Sequence, residues 1–222
     1  MRFSAFQSDP PKTPYAPVWE YFFGFSSTED IDLEKLSQLC LDKEDEILEL
    51  DPRYNETGDV QDGMTGLGEN STTSRWYGYN ILLWNTPETE YLKKYIKDQV
   101  IEYNEYLHQE LPDKLYIQCW VNILRSNQSI NLHMHNYLSD SYLSANYTVK
   151  GEGTMTCYMN PIDQFQNPEI ITHSNKPGQF ALFPSNIPHY VTEYNGTDER
   201  ITLGIDISAH ERCDGVIVEL DL

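Results

Sequence analysis

The sequence predicts a mainly β, α+β protein in which helices of the N-terminal half lean on a sandwich or barrel of short strands. Two patterns in the 222-residue chain carry this. Before about residue 112, apolar side chains recur at helical spacing. After it they alternate in short runs broken by turns such as Lys150-Gly151-Glu152-Gly153 and Lys176-Pro177-Gly178. A third observation points into the β region. His133 and His135 are two residues apart, so on a strand both project to one face, and His189 and Arg200 follow on later β-like runs. Imidazoles so arranged suit a mononuclear metal site inside a barrel, and an arginine beside them suits an anion clamp.

Residues 1–25 are rich in proline and aromatics and lack helical period, which predicts an extended arm laying Trp19, Tyr21, Phe22 and Phe23 on the core. Ser26-Ser27-Thr28-Glu29 fits a capping box ahead of a helix. Leu33, Leu36, Leu39, Cys40, Ile47 and Leu48 form its apolar stripe, and Asp51-Pro52 ends it. Residues 51–75, polar with Gly58, Gly63, Gly66 and Gly68, read as a mobile loop or lid, or as disorder. Trp76 to Trp84 reads as a strand. Thr86-Pro87 then starts a helix of about twenty residues, with Leu92, Tyr95, Ile96, Val100, Tyr103 and Leu107 on one face and Leu111-Pro112 as its close. Strands are expected at 115–124, 129–135, 142–149, 154–158, 169–172, 179–183, 189–195, 199–208 and 215–221. The whole is expected to be one domain, with 1–112 as arm, helices and mobile loop packed on a 113–222 core.

Composition narrows the function classes. A net charge of −20 opposes binding to nucleic acid or to anionic lipid. Cys40, Cys119, Cys157 and Cys213 are scattered with no C-x-x-C, so no zinc knuckle or dithiol motif is visible, and Cys119 and Cys157 are expected to be reduced core residues. No apolar run has the length of a signal peptide or a membrane span, so a cytoplasmic protein is the expectation. No interface signature specifies an oligomeric state. The partner expected is a small-molecule or peptide substrate.

One stretch carries a family resemblance. It contains Trp120-Val121-Asn122, Asn131-Leu132-His133-Met134-His135, Leu143-Ser144-Ala145-Asn146-Tyr147, Gly178-Gln179-Phe180-Ala181-Leu182-Phe183-Pro184-Ser185, Pro188-His189 and Glu199-Arg200-Ile201-Thr202. The run resembles the 2-oxoglutarate/Fe(II)-dependent oxygenases, in particular the prolyl-hydroxylase-like branch and its uncharacterised phage and bacterial relatives. The resemblance implies a double-stranded β-helix (jelly roll) with the N-terminal helices packed on one sheet. It implies Fe(II) and 2-oxoglutarate as cofactors, with ascorbate as a possible reductant, and oxidative decarboxylation coupled to hydroxylation of an unactivated C–H. His133, His135 and His189 would hold the metal. Arg200 would take the distal carboxylate of 2-oxoglutarate, with Thr202, Asn122 and Tyr147 as further contacts. No catalytic residue is expected beyond the ligands.

The chain departs from the family pattern at His135, where the family has a carboxylate. Three readings stay open: His135 replaces the carboxylate, Asp140 bends in as the third ligand, or the chain is an inactive relative. Rival functions are a three-histidine cupin-type metalloprotein that does not use 2-oxoglutarate, and a non-catalytic jelly-roll binding or structural module. Arg200 separates the first rival, and metal content separates the second.

Overall fold

A computed structural model describes residues 1–162, 169–212 and 214–222; Cys213 lies outside them. The strands are β1 (Arg2–Gln7), β2 (Glu20–Ser27), β3 (Lys114–Leu124), β4 (Gln128–His133), β5 (Leu143–Lys150), β6 (Thr154–Met159), β7 (Ile170–Asn175), β8 (Gln179–Pro184), β9 (His189–Tyr194), β10 (Arg200–Ser208) and β11 (Val218–Asp221). Seven of them form one antiparallel sheet, ordered β1-β2-β8-β5-β10-β3-β11, and four form a second, β4-β9-β6-β7. This is the mainly β, jelly-roll architecture expected, with each strand of the second half within a few residues of its predicted place.

The helices are α1 (Leu33–Asp42), α2 (Glu44–Leu48) and α3 (Pro87–Leu107). Thr86 caps α3 through a reciprocal box with Thr89, with Pro87 at the first helical position. The helix stops before Leu111-Pro112, because His108 turns left-handed (φ 53°) and closes it. Leu36 and Cys40 of α1 and Leu92, Ile96, Val100 and Tyr103 of α3 pack with Leu115, Ile117, Val121, Leu203, Ile205 and Ile207 in one apolar cluster on the outer face of the large sheet. Each large aliphatic side chain buried there stabilises the fold by roughly 1.5–3 kcal/mol. A second cluster, with Phe6, Phe23, Phe25, Tyr158, Phe183 and Ile187, lies under the β1–β2 hairpin. Cys40, Cys119 and Cys157 are buried free thiols.

The extended arm does lay Trp19, Tyr21, Phe22 and Phe23 on the core, while three other local expectations are corrected. The N-terminal arm is a paired hairpin whose β2 adds to β8, so Ser26 and Ser27 belong to a strand rather than to a cap. Asp32 caps α1 instead, accepting from the Lys35 amide. The predicted strand at 76–84 is turn and 3-10 helix. Tyr79 Oη accepts from the Val121 amide, and the Asn80 side chain donates to the Ile117 carbonyl, so side-chain bonds to β3 override the β propensity of this aromatic run. The predicted loose loop at 51–75 is tied down at its second half. Thr72 Oγ1 donates to the Val121 carbonyl, Thr73 Oγ1 to Asn122 Oδ1, the Asn131 amide to the Thr65 carbonyl, and Arg75 to the Leu50 carbonyl.

Candidate metal centre

Cross-strand register builds the site. β4 and β9 place His133 opposite His189, and β9 and β6 place His189 opposite Tyr158. The chain leaves β4 at His133, and the amide of His135 then donates to the Ser185 carbonyl (3.1 Å), which turns the second imidazole back toward the first. The three imidazoles have nitrogens within 4.8 Å of one another.

Each ring is oriented by its other nitrogen. His133 Nδ1 lies 2.9 Å from the Asn131 carbonyl, and His189 Nδ1 lies 3.0 Å from the Ile187 carbonyl. His135 Nδ1 meets Asp206 Oδ1. Carbonyl and carboxylate oxygens only accept, so each Nδ1 carries a proton, and the neutral form of each ring offers Nε2 as its lone-pair nitrogen. Burial, then the neighbouring His135, pushes the His133 imidazole down to about 4. Burial, then His133 and His135, holds His189 well below the ordinary histidine value. Burial thus favours the neutral form of His133 and His189, the form that binds a divalent cation.

A pocket runs from the histidines into the barrel, lined by Trp120, Asn122, Asn146, Thr156, Arg200 and Thr202 among others. At its far end Arg200 is 1% exposed. Its Nε has no partner, and Nη1 lies 3.5 Å from Thr202 Oγ1. With the Asn175 amide turned so that its oxygen faces the guanidinium, Nη2 donates to it at 3.0 Å. Burial pushes Arg200 down to about 10, partly offset by Tyr194, and no carboxylate contributes. A buried cation short of an anion is costly, and its most direct remedy is an anionic ligand. Two glycines make room. A Cβ on Gly204 would come within 2.5 Å of the Trp120 indole, and one on Gly151 (φ +91°) would meet Arg200 at 3.0 Å.

The structure brings together His133, His135, His189, Arg200, Thr202 and Asn122. It does not bring in Tyr147, which is buried in the helix-facing cluster beside Tyr95. Tyr147 stands opposite Leu203 in register and shares its face, turned from the pocket. Asp140 is exposed, accepts from Asn136 Nδ2 (3.1 Å), and stands apart from the histidine cluster. Sequence reasoning missed Asp206. The signal was present: Arg200, Thr202, Gly204 and Asp206 alternate along one strand and so share a face. It also missed Asn146, which donates to Tyr158 Oη at 2.9 Å beside His189. His173 stacks on Phe25 (4.6 Å) away from the site.

Beside the histidines two further cavities open outward. One of about 100 Å³ is bordered by Asp62, Thr65, Trp76, Trp120 and Arg212. One of about 430 Å³ is bordered by Trp76, Asn136, Asp140, Asp206, Arg212 and Asp214. The middle of the 51–75 segment, at Asp62, Gly63 and Thr65, thus reaches the mouth of the site.

Residues 118–206 match a family model described as "Putative 2OG-Fe(II) oxygenase". No curated protein matches. Among solved structures, a prolyl-4-hydroxylase from Pseudomonas putida is similar, at 15% identity and TM-score 0.57 over 85% of this chain and 93% of that one. A prolyl hydroxylase from Trichoplax adhaerens, in complex with a hypoxia inducible factor peptide fragment, is 13% identical with TM-score 0.59, over 84% and 83%. A viral collagen prolyl hydroxylase from Paramecium Bursaria Chlorella virus-1 is 13% identical with TM-score 0.50, over 85% and 96%. At these identities the likeness to solved structures is one of fold. Residues 118–206, most of the barrel, are thus similar to the 2OG-Fe(II) oxygenase family, and the fold of the chain is similar to that of prolyl hydroxylases.

Proposed function

We propose that the chain is an Fe(II)- and 2-oxoglutarate-dependent dioxygenase that hydroxylates a C–H bond of a peptidyl or small-molecule substrate. One observation carries this reading: a buried guanidinium short of an anion shares a pocket with three imidazoles whose free nitrogens converge. The residues suit the cofactors. Three oriented Nε2 lone pairs fit a ferrous ion, and Arg200 with Thr202 fits a carboxylate. His135, rather than Asp140, is the third ligand in this reading.

When bound, iron and 2-oxoglutarate supply the oxidising power for attack on an unactivated C–H, with ascorbate as a candidate reductant. The protein's own residues do the rest. Arg200 and Thr202 anchor the far carboxylate and fix which way the co-substrate lies. Asn122, held by Thr73 Oγ1 (2.6 Å) and Trp120 Nε1 (3.1 Å), lines the pocket between that anchor and the histidines. Trp120 and Phe183 keep water from the buried side of the histidines. Substrate would enter by the outward cavities, past Asp62 and Thr65. The net charge of −20 favours a basic or neutral substrate over an acidic one.

Anaerobic titration with Fe(II) and 2-oxoglutarate, followed by the visible metal-to-ligand charge-transfer band, tests the reading. The wild type should develop the band, and His189→Ala should not. Asp140→Ala should keep it and His135→Ala should lose it; the reverse would make Asp140 the ligand. Oxygen uptake that ignores 2-oxoglutarate would favour the three-histidine cupin alternative.

A further inference from the structure

The three candidate ligands are all imidazoles, where the resemblance leads one to expect a carboxylate among them. Among the described residues a carboxylate that touches the cluster is Asp206, on β10, three alternations along from Arg200 and on the same face. Its Oδ1 meets His135 Nδ1 and lies 3.1 Å from Ser144 Oγ. Its Oδ2 lies 3.6 Å from Nη1 of Arg212. The side chain is only 15% exposed, so its charge is poorly screened by water. We infer that Asp206 is a positioning residue that supplies the missing carboxylate to the metal centre indirectly, through the His135 ring. The inference rests on the metal reading above.

Two physical effects follow from this contact. The carboxylate accepts the Nδ1 proton and so fixes both the tautomer and the tilt of a ring that no strand holds, since β4 has already ended at His133. It also polarises that ring, making Nε2 a stronger donor, and places a negative charge one residue away from where the cation would sit. A three-nitrogen site would thereby recover part of the charge balance that a direct carboxylate ligand gives. His133 and His189 need no such help. Their rings are held by backbone carbonyls two residues upstream, and the two histidines themselves stand opposite each other on the paired strands β4 and β9.

Arg212 opposes this from the other side. It draws on the far oxygen of Asp206, and its ring-facing side rests over Trp76 (6.0 Å). Removing it would leave more of the carboxylate's charge acting on His135.

Burial by itself accounts for an aspartate here only if an asparagine would serve as well, because an amide oxygen can also accept the Nδ1 proton. The test therefore separates charge from shape. Co(II) binding to the whole chain is measured by anaerobic titration, and the ligand-field spectrum of the complex is recorded. Wild type should bind, and His135→Ala should lose binding. If wild type does not bind Co(II), or His135→Ala binds as well as wild type, the metal reading itself falls, before Asp206 is at issue. Given that binding, Asp206→Asn should weaken Co(II) about 10- to 100-fold and shift the spectrum, and Asp206→Glu should recover part of the loss. A folded Asp206→Asn with wild-type affinity and spectrum overturns the inference. If Asp206→Asn does not fold, Arg212→Ala decides: it should tighten Co(II) a few-fold, and unchanged or weaker binding overturns the inference.

Discussion

Along β10, Ile201, Leu203, Ile205 and Ile207 face the helices, whereas Arg200, Thr202, Gly204 and Asp206 face the barrel. Both sets are largely withdrawn from water, yet one is wholly apolar and the other mostly polar. The difference teaches how to tell a core from a site when burial is the same. On the helix side, burial is its own reward, since apolar area leaves water. On the barrel side, each buried polar group costs free energy until something satisfies it. Most are satisfied internally, as Asn122 and Asp206 are. Arg200 Nε is not, and as a buried cation lining the pocket it is the group that the proposed reading pairs with an anionic ligand.

Substitutions on the two faces should therefore differ in kind. Leu203→Ala should cost about 3 kcal/mol of stability and lower Tm by on the order of 10 °C, while folded protein keeps its affinity for 2-oxoglutarate. Thermal melts and titration together check this; a matching drop in affinity would erase the distinction between the faces. Arg200→Gln should do the opposite. It should weaken 2-oxoglutarate about a hundredfold, about 2.7 kcal/mol, yet leave the ligand-free protein as stable as before or more so, because an unmatched buried charge is gone. Calorimetric titration beside a melt would expose a structural Arg200 through a lowered Tm.

His173 sharpens the contrast further, as a buried histidine outside the cluster. Burial, with Arg2 adding to it, pushes its imidazole down to about 4. The unfolded chain takes the proton at the ordinary value near 6.5, so the unfolded state binds more protons between these limits. Its contribution to stability is present above about pH 6.5 and is lost as pH falls toward 4. Tm measured across that window should fall less steeply in His173→Phe than in the wild type; equal slopes would remove His173 from the account. The smallest effect is expected at Tyr147. Because it faces the helices, Tyr147→Phe should leave 2-oxoglutarate binding unchanged, and a clear loss on titration would return it to the pocket.

What was legible in the sequence follows the same division. The strands were readable because alternation and turn residues are local signals. The histidines and Arg200 were readable from motif and spacing. Tyr147 could be read as a core residue or a co-substrate contact, and the sequence did not decide, because which face of β5 meets the pocket depends on its register with β10, which is set by long-range pairing. Asp206 was within reach of the alternation that begins at Arg200. Its partner, though, is a ring held outside β4 by a bond to Ser185, and no periodicity announces such a bond. The segment at 76–84 misled for a related reason: its conformation is dictated by what Tyr79 and Asn80 grip on β3.

His133 and His189 ride on the four-stranded sheet, while Ser185 and Asp206, which grip His135, belong to the seven-stranded side. An ion seated among the three rings would act as a rivet between the layers. Its grip would add to the cohesion of the whole jelly roll in proportion to how tightly it is held. Prising the layers apart would then require first surrendering the ion, so the metal centre and the junction between the sheets would open together or stay shut together.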